Sequence, residues 1–407
     1  MFTLEVADIF RTKGQQWRES NVGHINRPQY KTMNAIEQCR SAVLGGHVLH
    51  CPSCGQDQIA YNSCRNRHCP KCQASAAKRW LEARQQDLLP VDYYHLVFTL
   101  PARISEIAYH NKSVVYGILF KAAAQTLLTI GADPRHLGCK LGITLVLHTW
   151  GSNLSHHPHV HGIVPGGGLS LEGEHWVSCR KSFFLPVRVL SRLFRRLFLE
   201  RLKRAYDKGQ LQFFGDHQYL GHAPAFKEWL QPLRKIDWVV YSKKPFAGPK
   251  AVLTYLSRYT HRVAIANSRL IDFNDKGVTF KWKDYRCRGR TRHKVMTLET
   301  DEFIRRFLMH VLPAGFHRIR HYGLFANARK QSNLAMSRAL LINQPVAKHE
   351  AIDQNHADIT KDIPAGESGH TVYTCPHCNS PLVIIQVIGR GQLPRAPPRV
   401  RALCHQR

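Results

Sequence analysis

Acidic residues are scarce in this chain of 407 residues: 28 Asp and Glu stand against 58 Lys and Arg, with 25 histidines besides, for a net charge of +30 at pH 7. An imbalance of that size points to a polyanion, for which nucleic acid is the default. Long apolar runs are also lacking. No stretch of about 18 or more consecutive apolar residues is present to span a bilayer, which argues against a membrane partner. The opening "MFTLEVADIFRTKGQQW" has neither the apolar core nor the cleavage pattern of a signal peptide, so a cytoplasmic location is expected. In that reducing compartment the 12 cysteines are expected to act as metal ligands, not to form disulfides. No GKT or GKS loop of the helicase type occurs, and there is no internal repeat.

Half of those cysteines lie in residues 39–72, "CRSAVLGGHVLHCPSCGQDQIAYNSCRNRHCPKC". Cys51-x2-Cys54, then fourteen residues, then Cys69-x2-Cys72 has the spacing of a zinc ribbon, in which two knuckles each offer two thiolates to a tetrahedral ion. Cys39, His47, Cys64 and His68 are interleaved with that set and would either form a second Cys2His2 site or pack. Arg65, Arg67 and Lys71 beside the knuckles suit contact with phosphate. At the other end, "YTCPHCNSPL" offers the single knuckle Cys375-x2-Cys378. Cys404 and His405, or a half-site from elsewhere in the chain, would complete it.

The stretch "LSHHPHVHGIVPGGGL" (154–169) places His157, His159 and His161 at alternate positions before an apolar run. Alternation is the period of a strand, so all three imidazoles are expected on one face, where a metal explains them better than solvent does. Around it the element order is strand ("YYHLVFTLP", 93–101), helix (104–130), strand ("GITLVLHTW", 142–150), histidine strand, basic amphipathic helix (187–209) and strand ("IDWVVYS", 236–242). The order β-α-β-β-α-β predicts an α+β, ferredoxin-like core: an antiparallel sheet with helices on one face. Pro249 suits the first turn of a further helix, on which Tyr255 and Tyr259, four apart, share a face; packing is the ordinary use of such a pair.

Residues 277–340 carry 14 Lys and Arg against 4 acids, interleaved with Trp282, Tyr285, Phe316 and Tyr322. Basic and aromatic side chains in alternation suit single-stranded DNA, whose every link has a phosphate and every base a face to stack. Lys281, Lys283, Arg286, Arg288, Arg290, Arg292, Arg318 and Arg320 are the candidate contacts. The expected segments are a zinc-binding, DNA-contacting domain (1–85), the mixed core with the Tyr-x3-Tyr helix (90–275), a basic aromatic extension (276–340), and a linker and tail with the single knuckle (341–407).

Four motifs occur together and in order: "YNSCRNRHCPKCQ", "HPHVHGIVPGGGL", "YLSRYTHRVAIANSRL" and "RRFLMHVLPAGFHRIRHYG". With a His-hydrophobic-His strand ahead of a Tyr-x3-Tyr helix, the chain resembles the HUH nucleases. Within them it resembles the two-tyrosine, rolling-circle transposases of the insertion sequence ninety-one family, over residues 39 to about 330. The resemblance implies Mg²⁺ or Mn²⁺ at His159 and His161, although imidazoles also accept Zn²⁺, and Zn²⁺ in the N-terminal domain. It implies a third metal ligand from a neighbouring element. His148 on the partner strand is preferred, with His157 and Asn153 as alternatives. It also implies Tyr255 and Tyr259 as nucleophiles that form 5'-phosphotyrosine links, with single-stranded DNA at the element ends and target DNA as partners. A host helicase would supply the single strand. A replication initiator or relaxase with the same core, and a catalytically silent zinc-dependent DNA-binding protein, are the competing readings.

Overall fold

A computed structural model describes residues 3–180, 183–243, 263–284, 287, 289–342 and 373–394. The chain divides into two compact units, Met1–Cys72 with Lys348–Arg407, and Gln73–Ala347.

The first unit opens with helices α1 (Val6–Ser20) and α2 (Arg27–Glu37). Asn26 starts α2 because its side chain accepts from the Gln29 amide while Gln29 reaches back to the Asn26 amide, satisfying two otherwise unpaired donors. The helices bury Val6, Ile9, Phe10, Met33 and Ile36 and are joined by an Arg18–Glu37 ion pair of 2.6 Å. Strands β1 (Gly46–His50) and β2 (Asp57–Tyr61) follow as an antiparallel pair.

The second unit begins with α3 (Gln73–Gln85), β3 (Tyr93–Thr99), α4 (Ala102–Ala108) and α5 (Lys112–Ala132). The single helix expected over 104–130 is two, because Asn111 interrupts it. Its side-chain amide donates to the Ile107 and Gln212 carbonyls while its side-chain oxygen accepts from the Gln212 amide. Next come the short β4 (Cys139–Lys140), then β5 (Gly142–Trp150), β6 (His156–Pro165), β7 (Gly167–Ser170) and β8 (Trp176–Ser178). Helices α6 (Val187–Asp207) and α7 (Ala223–Lys235) precede β9 (Val240–Lys243). A three-stranded sheet, β10 (Leu270–Asn274), β11 (Gly277–Lys283) and β12 (His293–Leu298), leads to α8 (Thr300–Met309), β13 (Ile319–Gly323) and α9 (Lys330–Ile342). The chain then returns to the first unit, where β14 (Val383–Ile388) pairs with β1.

The main sheet has the order β13-β5-β6-β3-β9, with every pairing antiparallel. Without β13 this is the ferredoxin-like order, and the fold is α+β as the element order implied. Residues opposite one another across a ladder share a face. Leu96, Phe98, Leu145, Leu147 and Val160 therefore point together into the main core with Phe120 of α5 and Phe194 and Phe198 of α6. Helix α5 is long and apolar enough to cross a membrane by length and composition, yet two thirds of its most apolar window is buried in the protein. That is the signature of a central core helix, apolar all round because protein surrounds it.

Phe98 is fully buried, edge-on to Phe194 at 5.0 Å between ring centroids. Phe98→Ala should cost about 3–5 kcal/mol in urea unfolding, through reduced burial and a residual cavity. Retention of wild-type stability would show that this packing does not anchor the sheet.

Candidate functional site

The opposite face of the same sheet carries the histidines. Register places His148 of β5 directly across from His159 of β6, while His161, two residues on, lies across from Val146 and Val97. Each of His148, His159 and His161 offers a ring nitrogen, and these atoms lie within 4.8 Å of one another. His148 and His161 are buried and their rings meet at 4.5 Å.

The rings are held from behind. His159 Nδ1 donates to the His157 carbonyl at 2.7 Å, which leaves the lone pair on Nε2; that atom lies 3.1 Å from His161 Nε2. His161 Nδ1 meets Nε2 of the buried His95, from β3, at 2.8 Å. Burial, and then the charges of Lys243 and His159, push His95 down to about 4, so it stays neutral near pH 7. Three converging imidazole nitrogens, each ring oriented by a hydrogen bond or a stack, form a donor set suited to a divalent metal. Trp150 stacks on His148 at 4.7 Å and completes the support.

The other expected ligands lie elsewhere. His157 stands outside the converging group: it is exposed, its ring lies 5.4 Å from that of His159, and it contributes its carbonyl. Asn153 caps the β5–β6 turn, accepting from the Ser155 amide and hydroxyl. Tyr255 and Tyr259 lie outside the described residues. His95 escaped sequence reasoning: a single histidine inside "YYHLVFT" gives no spacing signal, and only strand pairing sets it against His161.

The basic segment is built onto this hairpin. Strand β13 extends the main sheet along β5, and the turn between β5 and β6 is gripped by residues from 269–310. The Lys283 amide donates to Ser152 Oγ at 2.7 Å, Arg269 donates to the Ser152 carbonyl, and Arg306 donates to the Asn153 carbonyl at 3.3 Å. His310, buried and pushed down to about 3 by that burial, bridges Thr149 and the Leu154 carbonyl. Among the candidate DNA contacts, Lys281 and Lys283 are exposed on β11. Arg292 donates to the Cys287 carbonyl and Arg318 to Gln73. Arg320 lies over the rings of Phe120 and Phe316 at 4.4 and 4.8 Å, so it has a packing role. Arg286, Arg288 and the side chain of Arg290 are outside the described residues.

The cysteines do not group as the ribbon spacing implied. Cys69 and Cys72 gather with Cys39 and Cys64, and Cys51 and Cys54 gather with Cys375 and Cys378. Neither group includes His47 or His68. In the first group Cys39 and Cys64 each lie 3.6 Å from Cys72 through sulfur. Hydrogen bonding, first from Cys64 and then from Cys69, holds Cys39 down to about 7, toward the thiolate form that metals take. The reason for the regrouping is the sheet. His50 and Asp57 are paired across β1 and β2, so the intervening Cys51–Cys54 knuckle sits at the tip of that hairpin, away from Cys69 and Cys72.

Comparison with known proteins gives the family. The family described as "Transposase zinc-binding domain" matches residues 9–100, and the family described as "Putative transposase" matches residues 142–332. "Putative transposase y4qJ" of Sinorhizobium fredii is 53% identical over 396 residues, 97% of each chain. "Transposase for insertion sequence element IS801" of Pseudomonas savastanoi pv. phaseolicola is 27% identical over 312 residues, 75% of this chain and 72% of that protein. Among solved structures, the conjugative relaxase TrwC in complex with oriT DNA, in its metal-free form, aligns over 84% of this chain and 99% of that chain. Its identity is 12% and its TM-score 0.24, too slight a likeness to carry an argument. A zinc-binding module followed by a transposase region defines the class. The chain belongs to the insertion sequence ninety-one (IS91) family of transposases.

The support behind the histidines gives a direct test. His95→Ala should weaken Mn²⁺ binding by about 10- to 100-fold, as removal of a partner behind a ligand does, while the fold is kept. Titration followed by electron paramagnetic resonance would measure it, and unchanged affinity would remove His95 from the site.

Proposed function

We propose that this transposase nicks and rejoins single-stranded DNA at the ends of its element, through 5'-phosphotyrosine intermediates, in rolling-circle transposition. The observation that carries this reading is the convergence of His148, His159 and His161 on one sheet face, in a chain of a transposase family. A divalent ion held there, Mg²⁺ or Mn²⁺, supplies Lewis-acid polarisation of the scissile phosphate. The His95 ring and the His157 carbonyl keep the ligand rings in place, so little rearrangement accompanies the reaction.

Tyr255 and Tyr259 are the assigned nucleophiles, four residues apart and on one face of a helix expected from the sequence. One tyrosine loses its proton as its oxygen bonds to phosphorus; the bond from phosphorus to the 3' oxygen breaks, and that oxygen leaves as a free 3' hydroxyl. The phosphoester is retained in the protein–DNA link, so attack by another 3' hydroxyl restores the DNA without ATP. A second tyrosine allows a second link to be held while the first is resolved. Lys281, Lys283, Arg286, Arg288, Arg290 and Arg292 are assigned to the phosphates of the strand, and a host helicase to its exposure in the cytoplasm. Cys39, Cys64, Cys69 and Cys72 are assigned to a structural Zn²⁺, as a zinc-binding domain implies.

Nicking of a single-stranded element-end oligonucleotide is the decisive assay. EDTA should stop it and Mn²⁺ or Mg²⁺ restore it, and His159→Ala or His161→Ala should reduce it at least about a hundredfold, as removal of a positioned electrostatic group does. The variant with both Tyr255→Phe and Tyr259→Phe should form no covalent adduct, while one of the single variants still does. An adduct from the double variant would overturn the tyrosine assignment.

Binding of single strands should depend on the basic segment through charge alone. Replacing Lys281, Lys283, Arg286 and Arg288 by Ala should reduce the slope of log affinity against log salt by roughly 0.7 for each phosphate left without its cation. An unchanged slope would mean that these side chains only solvate the surface.

A further inference from the structure

We infer that Cys51, Cys54, Cys375 and Cys378 form a second zinc site, built from two knuckles at opposite ends of the chain. The sulfurs of Cys51 and Cys378 lie 3.4 Å apart and those of Cys54 and Cys375 3.5 Å apart, across 327 and 321 residues of sequence. All four sulfurs lie within 4.8 Å of one another. A disulfide would need about 2.05 Å. Four thiolates around a zinc ion at about 2.3 Å sit about 3.8 Å from each other, close to the separations observed.

The two knuckles have one geometry. In "CPSCG" the Gly55 amide donates to the Cys51 carbonyl at 2.8 Å, and the Cys51 amide donates to the Gln56 carbonyl at 2.9 Å. In "CPHCN" the Asn379 amide donates to the Cys375 carbonyl at 2.9 Å, and the Cys375 amide donates to the Ser380 carbonyl at 2.8 Å. Both turns close through a left-handed residue, Gly55 at φ 71° and Asn379 at φ 59°. Asn is the side chain other than Gly that visits this region most readily. Each turn therefore aims two thiols the same way, and β1 and β14, which lead into and out of the knuckles, are hydrogen-bonded neighbours.

Apart from the pairing of β14 with β1, the segment around Cys375 has little apolar burial to hold it. Of residues 373–394, only Cys375, Leu382 and Ile388 are buried, while Val383, Ile384, Ile385 and Val387 are exposed. A piece this short, with so small an apolar core, needs a staple. Its buried neighbours are Leu49 and Cys51, which places Cys51 and Cys375 in what core there is, with Cys54 beside it and Cys378 at the surface.

Metal analysis of the full chain by mass spectrometry tests the site. The wild type should hold two zinc ions. The pair Cys375→Ser with Cys378→Ser should hold one, the pair Cys51→Ser with Cys54→Ser should hold one, and the fourfold variant should still hold one. Two ions in the Cys375 and Cys378 variant, none in the fourfold variant, or iron or a single ion in the wild type would overturn the assignment. A second measurement needs no variant: after chelation and mild oxidation of the wild type with diamide, disulfide-linked peptides should join Cys51 or Cys54 to Cys375 or Cys378. Links confined to the N-terminal cysteines would overturn it.

Discussion

The pairing of β5 with β6 is the constraint on which the functional reading rests. One register sets His148 across from His159 and sends Leu145, Leu147 and Val160 to the other face, into the core with Phe120 and Phe194. A slip of one residue would reverse both faces, exposing the apolar set and burying imidazoles without partners. The free energy that fixes the register is therefore mostly hydrophobic, and the histidines are placed by packing on the side of the sheet they do not touch. The turn itself is set from outside the hairpin by Lys283, Arg269, Arg306 and His310. Leu154, at φ 64° without glycine's freedom, keeps that conformation because its carbonyl and its neighbours are bonded to this later segment.

The basic segment thus has two uses of charge. Arg318 and Arg320 are consumed in structure, one on Gln73 and one over Phe120 and Phe316, while Lys281 and Lys283 remain exposed on β11. An excess of 30 positive charges is consistent with both, and only the partners of each side chain separate the two kinds of basic residue. A run of basic residues read as one DNA-binding face is, in the folded chain, partly the seam that joins β13 to the main sheet.

In the first unit a similar economy applies to thiols. Closing a loop of 327 residues has an entropic cost of roughly 5 kcal/mol from the logarithmic term alone. Structural zinc in small domains contributes on the order of 10–16 kcal/mol near neutral pH. A four-thiolate site is therefore strong enough to hold the ends of this chain together, whereas burial of Leu382 and Ile388, at about 1.5–3 kcal/mol each, is marginal for the task.

Much of the core was legible in the sequence because its signals are local. Alternation in "HVHGIV", β-branched and aromatic runs at 93–99 and 142–150, and the amphipathic basic helix ending near Gly209 state the element order, and that order limits the topology to few choices. The four motifs that identify the family are likewise contiguous. Partner choice among like groups was not legible. Ribbon spacing joined Cys51 and Cys54 to Cys69 and Cys72, whereas strand pairing brings Cys375 and Cys378 to the first pair and Cys39 and Cys64 to the second. The same is true of His95, a lone histidine until β3 lies beside β6, and of the break at Asn111, which exists to satisfy Gln212. The sequence by itself determined which residue types are present and which short elements they form, since propensity and periodicity act over a few residues. Tertiary structure alone decided which histidines converge and which thiols meet, since those distances depend on burying apolar surface contributed by segments far apart in the chain.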